Sequence, residues 1–221
     1  MMKLIAVLLI VVFTTFTTSD PDNLQDICVA DLASAIIVNG FPCKPATTVT
    51  AADFNSKILA TPGATTNTTF GSSRNDEISS VTAANVLRIP GLNTLGVSLA
   101  RIDFAPGGIN PPHSHPRATE ILFVLEGQLD VGFITTANVL ISKTIVRGEI
   151  FVFPKGLVHF QKNSGYGPAS VISAFNSQLQ GTVNIALTLF AATPPVADQV
   201  LAQTFKATIP QVQTVKARFA P

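Results

Sequence analysis

The chain contains three histidines in 221 residues, and all three fall in two short segments. The first runs Gly108-Ile109-Asn110-Pro111-Pro112-His113-Ser114-His115-Pro116-Arg117-Ala118-Thr119-Glu120. The second runs Gly148-Glu149-Ile150-Phe151-Val152-Phe153-Pro154-Lys155-Gly156-Leu157-Val158-His159. His113 and His115 are two residues apart in an extended, Pro-flanked stretch, so the period of a strand aims both imidazoles at one face. Pro116 interrupts that strand, and a tight turn there can return the Glu120 carboxylate to the pair. His159 arrives in the later strand Leu157 to Gln161, where an antiparallel neighbour can supply a fourth ligand. Three imidazoles and one carboxylate suit a first-row divalent metal. On an octahedral ion they leave two positions open for water, an oxygen species or a small chelating acid. A closed tetrahedral zinc site leaves none. The ligand set by itself does not choose among manganese, iron, zinc and copper.

The elements that must carry these side chains read as short strands. Leu95, Val97 and Leu99 face one way, and Ile102 and Phe104 follow with the phase shifted, as a bulge or bend would do. Glu120 to Leu125 is a strand that ends at Glu126-Gly127, and Leu129, Val131 and Phe133 complete a hairpin. Val139 to Ile145, Ile150 to Phe153, Leu157 to Gln161, Ala169 to Phe175 and Thr182 to Phe190 continue the series. Strands at this spacing with turn signals between them point to an all-β sandwich or barrel. Two helical stripes close the chain. Val196, Val200, Leu201 and Phe205 follow Pro194-Pro195, and Val212, Val215 and Phe219 follow Pro210. Each stripe can pack on the chain's own barrel or on a neighbouring subunit. No repeat or linker divides the chain. One domain is expected over 20–221, with an N-terminal extension to about residue 60, a barrel over about 61–192 and helices beyond.

Residues 1–19 read as a secretory leader. Lys3 is its positive end, Leu4 to Phe13 its apolar run, and Thr17 and Ser19 fit the cleavage positions before Asp20; the alternative is an N-terminal membrane anchor. The run is too short to span a bilayer, and no later one is long enough. Export makes Cys28 and Cys43, the only two cysteines, interpretable as one disulfide closing a loop of about 15 residues. The alternative is two buried thiols. Asn67-Thr68-Thr69 is a glycosylation sequon in a Thr/Gly-rich stretch. Lys and Arg total 14 against 13 Asp and Glu. There is no basic run, which removes nucleic acid from the expected partners. Charged residues make up 12% of the chain, about half the usual quarter. Part of the surface is therefore expected to lie under other subunits or glycan.

Three boxes together resemble the germin-like proteins of plants, within the cupin superfamily, over essentially the whole mature chain. They are the two histidine segments and Gln25-Asp26-Ile27-Cys28-Val29-Ala30-Asp31, continued by Asn39-Gly40-Phe41-Pro42-Cys43-Lys44. The resemblance implies a cupin jelly-roll β-barrel with C-terminal α-helices, manganese as the metal, a hexamer built as a trimer of dimers, and an extracellular, apoplastic location. It implies that His113, His115, Glu120 and His159 are the ligands and that Cys28 pairs with Cys43. Superoxide dismutase activity is associated with several members of the family. A metal that cycles between two oxidation states suits that reaction, with Glu120 lowering the site's positive charge. Oxalate oxidation, the activity of true germins, is associated with two asparagines. Asn110 matches one, while Ala100 stands where the other is expected, and a hydrogen bond to a carboxylate there is worth roughly 1.5–3 kcal/mol. Asn110 also reads as a plain turn residue before Pro111. A non-enzymatic, wall-associated role in defence or development is the remaining reading. Arg147-Gly148-Glu149 sits where some relatives carry an adhesion-like tripeptide, and reads here as a hairpin turn.

Overall fold

The computed structural model describes residues 25–37, 40–65 and 79–219. The expected leader, residues 1–19, and the sequon at Asn67 lie outside the described residues.

Two five-stranded antiparallel sheets face each other as a jelly roll. The first, in spatial order, is β1 (Ser79–Ala84), β2 (Ser98–Phe104), β9 (Ala169–Phe175), β4 (Glu120–Glu126) and β7 (Ile150–Phe153). The second is β10 (Val183–Asn184), β3 (Ile109–Ser114), β8 (His159–Asn163), β5 (Gln128–Ile134) and β6 (Leu140–Val146). Along the inward faces the side chains change character. Ile102, Phe104, Val124, Leu129, Val131 and Val171 are fully buried and form one apolar core with Leu122, Ile145 and Phe153. Burial of each large apolar side chain contributes roughly 1.5–3 kcal/mol, so this end of the barrel is close-packed. Toward the other end the same strands carry Ala100, Ser173, Glu120, Gln161 and His159. Small and polar residues replace large apolar ones, and the barrel keeps a polar interior there.

The phase shift expected near Ala100 is absent. β2 pairs without interruption to both β1 and β9, with Ser98, Ala100, Ile102 and Phe104 inward, and Leu99 faces out. The misreading has a physical cause. The outer face of this sheet is itself apolar, with Leu99, Ile121, Phe123, Ile150 and Val152 all exposed, so alternation does not distinguish its two sides.

The stretch expected as a strand over Thr182 to Phe190 is a strand only at Val183–Asn184 and then a helix, α1 (Ile185–Phe190). Asn184 caps it by accepting a hydrogen bond from Leu187 N–H at 3.1 Å. The closing helices are α2 (Asp198–Phe205) and α3 (Ile209–Phe219). Leu201, Ala202 and Val212 bury against Leu189, Phe190 and Val196, and Lys216 pairs with Asp198 at 2.6 Å. Val200 and Phe205, expected on the packed stripe, remain exposed. No helix among the described residues is long and apolar enough to cross a membrane.

The N-terminal extension is held to the barrel. Cys28 and Cys43 form a disulfide with Cα atoms 4.8 Å apart. Ala30 N–H donates to Pro90 O at 2.9 Å, and the Asn93 side chain donates to Phe41 O at 2.7 Å. Arg147-Gly148 is a turn, as expected. The turn is not a hairpin, because it links β6 of the second sheet to β7 of the first; Glu149 accepts from Lys143 at 2.7 Å and from Val146 N–H at 2.9 Å, so its carboxylate is engaged at this crossing.

Changing both Cys28 and Cys43 to Ser should lower unfolding stability by about 3 kcal/mol, the loop-entropy value for this separation, while the barrel keeps its circular dichroism. Urea titrations of the two proteins check this.

Candidate metal centre

β3 contains Pro111 and Pro112, which cannot donate to a sheet ladder. Its pairing with β8 shifts register between Asn110 and His113. Beyond the shift His113 lies directly across from His159. The chain then turns at Pro116-Arg117 and enters β4 at Glu120. His115, just past the end of β3, points into the same space.

All four side chains are buried, with at most 4% of each exposed. One ligand atom from each can be chosen so that all lie within 4.8 Å of one another. The structure thus brings together every residue expected as a ligand. The ring orientations are fixed from behind. His113 Nδ1–H donates to Pro111 O at 2.8 Å, His115 Nδ1–H to Gly181 O at 2.6 Å, and His159 Nδ1–H to Leu157 O at 2.8 Å. With Nδ1 protonated in each ring, every Nε2 presents a lone pair to the interior. His159 is also stacked on Phe153, with ring centroids 4.5 Å apart, and His115 meets Phe175 edge-on at 4.9 Å.

Gly181 carries the carbonyl that orients His115, and it adopts φ +67°. That backbone conformation calls for glycine, and a Cβ there would sit 2.7 Å from the Arg117 guanidinium, the end of a flexible side chain.

Glu120 Oε2 lies 3.1 Å from His115 Nε2 and 3.2 Å from His159 Nε2. Its other oxygen, Oε1, accepts from the Ser173 hydroxyl at 2.6 Å and faces Gln161 Nε2 at 3.5 Å. Burial pushes the Glu120 carboxyl up, but the His115 and His159 rings and the Ser173 hydroxyl outweigh it and bring it to about 2. Burial, and then the neighbouring His159, lower His113 to about 4. Near neutral pH the pocket therefore holds an ionised carboxylate whose Oε2 lies 3.1–3.2 Å from two ring nitrogens. Acceptors at that separation need positive charge among them, either protons on Nε2 or a metal ion. The donor set of three neutral imidazoles and one carboxylate fits a first-row divalent ion.

A cavity of about 50 Å³ adjoins the ligands, room for one or two water-sized molecules. Asn110, His113, His115 and Glu120 line it, as do Ala100, Phe175 and Asn184. Ser173, Gln161 and Asn184 were missed in the sequence. Gln161 was within reach, being two residues beyond His159 on the same strand face. Nothing local marks Ser173.

Residues 68–213 match the family model described as Cupin, which sets the class of this barrel and its site. The chain is 68% identical over 223 residues to the rhicadhesin receptor of Pisum sativum, covering 100% of this chain and 99% of that protein. It is 60% identical over 220 residues to germin-like protein subfamily 2 member 1 of Arabidopsis thaliana, covering 100% and 97%. A solved structure of oxalate oxidase in complex with the substrate analogue glycolate superposes with a TM-score of 0.84 at 45% identity, covering 91% of this chain and 98% of that one. The chain belongs to the germin-like proteins of the cupin family.

In the metal-free protein the depressed His113 makes acid destabilising before any carboxylate titrates. An unfolded histidine takes up its proton near pH 6.5, while folded His113 resists until about 4. Stability should fall by on the order of 3 kcal/mol as pH drops from 6.5 to 4. The Glu120 contribution is lost only lower, between about 4.5 and 2. Urea unfolding of chelator-treated protein across this range checks the sign, and His113→Gln should flatten much of the upper slope.

Proposed function

We propose that this is a secreted manganese protein of the plant apoplast, acting as a superoxide dismutase, with His113, His115, Glu120 and His159 as the ligands. The observation that carries the reading is the convergence of three oriented Nε2 lone pairs and one ionised carboxylate oxygen beside a cavity of about 50 Å³. A redox-active ion held by these four residues would supply one-electron exchange between successive superoxide anions, giving dioxygen and, with two protons from water, hydrogen peroxide. The chain's own part is to hold and to exclude. The carbonyls of Pro111, Gly181 and Leu157 keep the imidazoles from turning as charge changes, and the Glu120 carboxylate favours the higher oxidation state. Phe153 and Phe175 close the space around the rings, and Asn110, behind the ligands, orients whatever small molecule enters.

Oxalate oxidation is disfavoured although an oxalate oxidase shares the fold at 45% identity. Ala100 and Asn110 both line the cavity, so the missing amide is missing from the wall that would hold a carboxylate. The two cysteines are joined to each other, which leaves no thiol nucleophile. A non-enzymatic wall protein is the second reading. It is favoured by the origin of the ligands, His113 and His159 on one sheet and Glu120 on the other, so that an ion there would brace the barrel.

The secreted reading rests on the leader at 1–19 and the Cys28–Cys43 disulfide, which suits an oxidising compartment. Asn67 is the proposed glycan site. The hexamer, a trimer of dimers, is supported by two separate apolar surfaces. One is a groove of about 980 Å³ on the outer face of the first sheet, which includes Leu99 and Ile121. The other, about 240 Å³, lies among Phe190, Phe205 and Val215 on the helices. Two distinct interfaces are what a closed trimer of dimers needs.

Elemental analysis paired with a superoxide assay on the same native sample tests the function. About one manganese per chain and activity lost in His159→Ala are expected, whereas metal without activity favours the wall-protein reading. Ala100→Asn should raise peroxide release from oxalate, and no change would remove the account of Ala100. Light scattering should find a hexamer that falls to smaller species in Ile121→Arg and in Val215→Glu, and a wild-type monomer would overturn the assembly.

A further inference from the structure

Three carboxamides line the cavity, Asn110, Gln180 and Asn184, and the oxygen of Gln180 is engaged by the Ser98 hydroxyl at 3.5 Å. Asn110 is about nine-tenths buried and lines the cavity, yet its side chain makes no hydrogen bond among the described residues. With no protein partner, its amide is available to whatever occupies the cavity. Asn184 lines the same cavity. It pairs across the sheet with His113, so its side chain shares the face of that imidazole. Its Oδ1 accepts from Leu187 N–H at 3.1 Å. Because the partner is a donor, the atom facing it is the oxygen, and the amide orientation is settled. The Nδ2 hydrogens of Asn184 are left without a partner among the described residues.

We infer that Asn184, with Asn110, forms a seat for a small monovalent anion at the rim of the metal cavity, and that Asn184 is its orienting residue. The helix cap holds the oxygen of Asn184 away and leaves only N–H donors for the incoming ligand, which selects anions over neutral acceptor-poor molecules. The cavity, about 50 Å³, favours a small ligand. The inference rests on the proposed metal centre and names its substrate class as a small anion held by amide donors. It also assigns the cavity a polar arm on β10, opposite the wall where Ala100 offers none.

Azide is the probe, titrated against metal-loaded wild-type protein and followed by electron paramagnetic resonance or visible absorption. Asn184→Asp and Asn184→Ser both keep a side-chain oxygen for the cap, so the melting temperature should hold within a few degrees. Both remove the amide donors. At equal metal content azide affinity should fall at least tenfold in Asn184→Asp and several-fold in Asn184→Ser, and Asn110→Ser should fall with them. Unchanged azide affinity in both Asn184 variants overturns the inference and leaves the dismutase reading intact. Weakened azide binding in a protein that never dismutes superoxide supports the seat and overturns the dismutase reading. Wild-type protein that carries metal but binds no azide, or carries no transition ion, overturns the inference directly.

Discussion

Three hydrogen bonds from imidazole Nδ1–H groups to backbone carbonyls govern this molecule's chemistry. Their acceptors, Pro111 O, Gly181 O and Leu157 O, belong to three different chain segments. Each bond fixes a tautomer and a ring plane together, so the three Nε2 lone pairs are aimed by main chain rather than by flexible side chains. The pocket is then locally crowded, because three ring nitrogens and a carboxylate share one space. It persists because the strands are fixed by their ladders and by the apolar core at the other end of the barrel. A cation bound there would relieve the crowding.

The ligand sources explain why this barrel is suited to that task. His113 and His159 face each other on the second sheet, Glu120 opens a strand of the first, and His115 lies in the link between them. The Pro111-Pro112 irregularity sets the register that brings the two cross-strand imidazoles together. Ser173 and Gln161, one from each sheet, both approach the Glu120 oxygen that faces away from the rings. The carboxylate is thus divided, with one oxygen for the protein and one for the pocket. A ligand group spread over both sheets makes the site sensitive to how the sheets pack, and the packing sensitive to what the site holds.

Much of the centre was legible because its chemistry is local in the sequence. His113 and His115 share a face through strand period alone, Pro116 announces the turn, and Glu120 lies one turn away. His159 needed the topology, and the expectation of an antiparallel neighbour supplied it. The fold was less legible where one signal served two structures. Leu95, Val97 and Leu99 read as inward alternation because the outer face of the first sheet is also apolar. Ile185-Ala186-Leu187-Thr188-Leu189-Phe190 reads as a strand by composition, since a short apolar run does not discriminate strand from helix. The decisive residue was Asn184, a helix cap whose meaning depends on the backbone after it. β1, Ser79–Ala84, contains one large apolar residue and passed unmarked. Ser173 is invisible for a different reason: its role depends on a cross-sheet neighbour 53 positions away.

The ligand group and the cavity wall answer different questions. The four candidate ligands are set by carbonyls and strand register, so sharing a fold with an oxalate oxidase says little about substrate. What enters is decided by residues that touch no ligand atom. Position 100 on β2 carries only a methyl group, while Asn110 on β3 and Asn184 on β10 carry amides. Donors are therefore concentrated on the second sheet and absent from the first. A dicarboxylate reaching across the cavity would meet a donor on one side and a methyl on the other. A two-atom anion can satisfy itself on the second sheet alone. That asymmetry, rather than the metal group, is the physical basis of the proposed departure from oxalate chemistry.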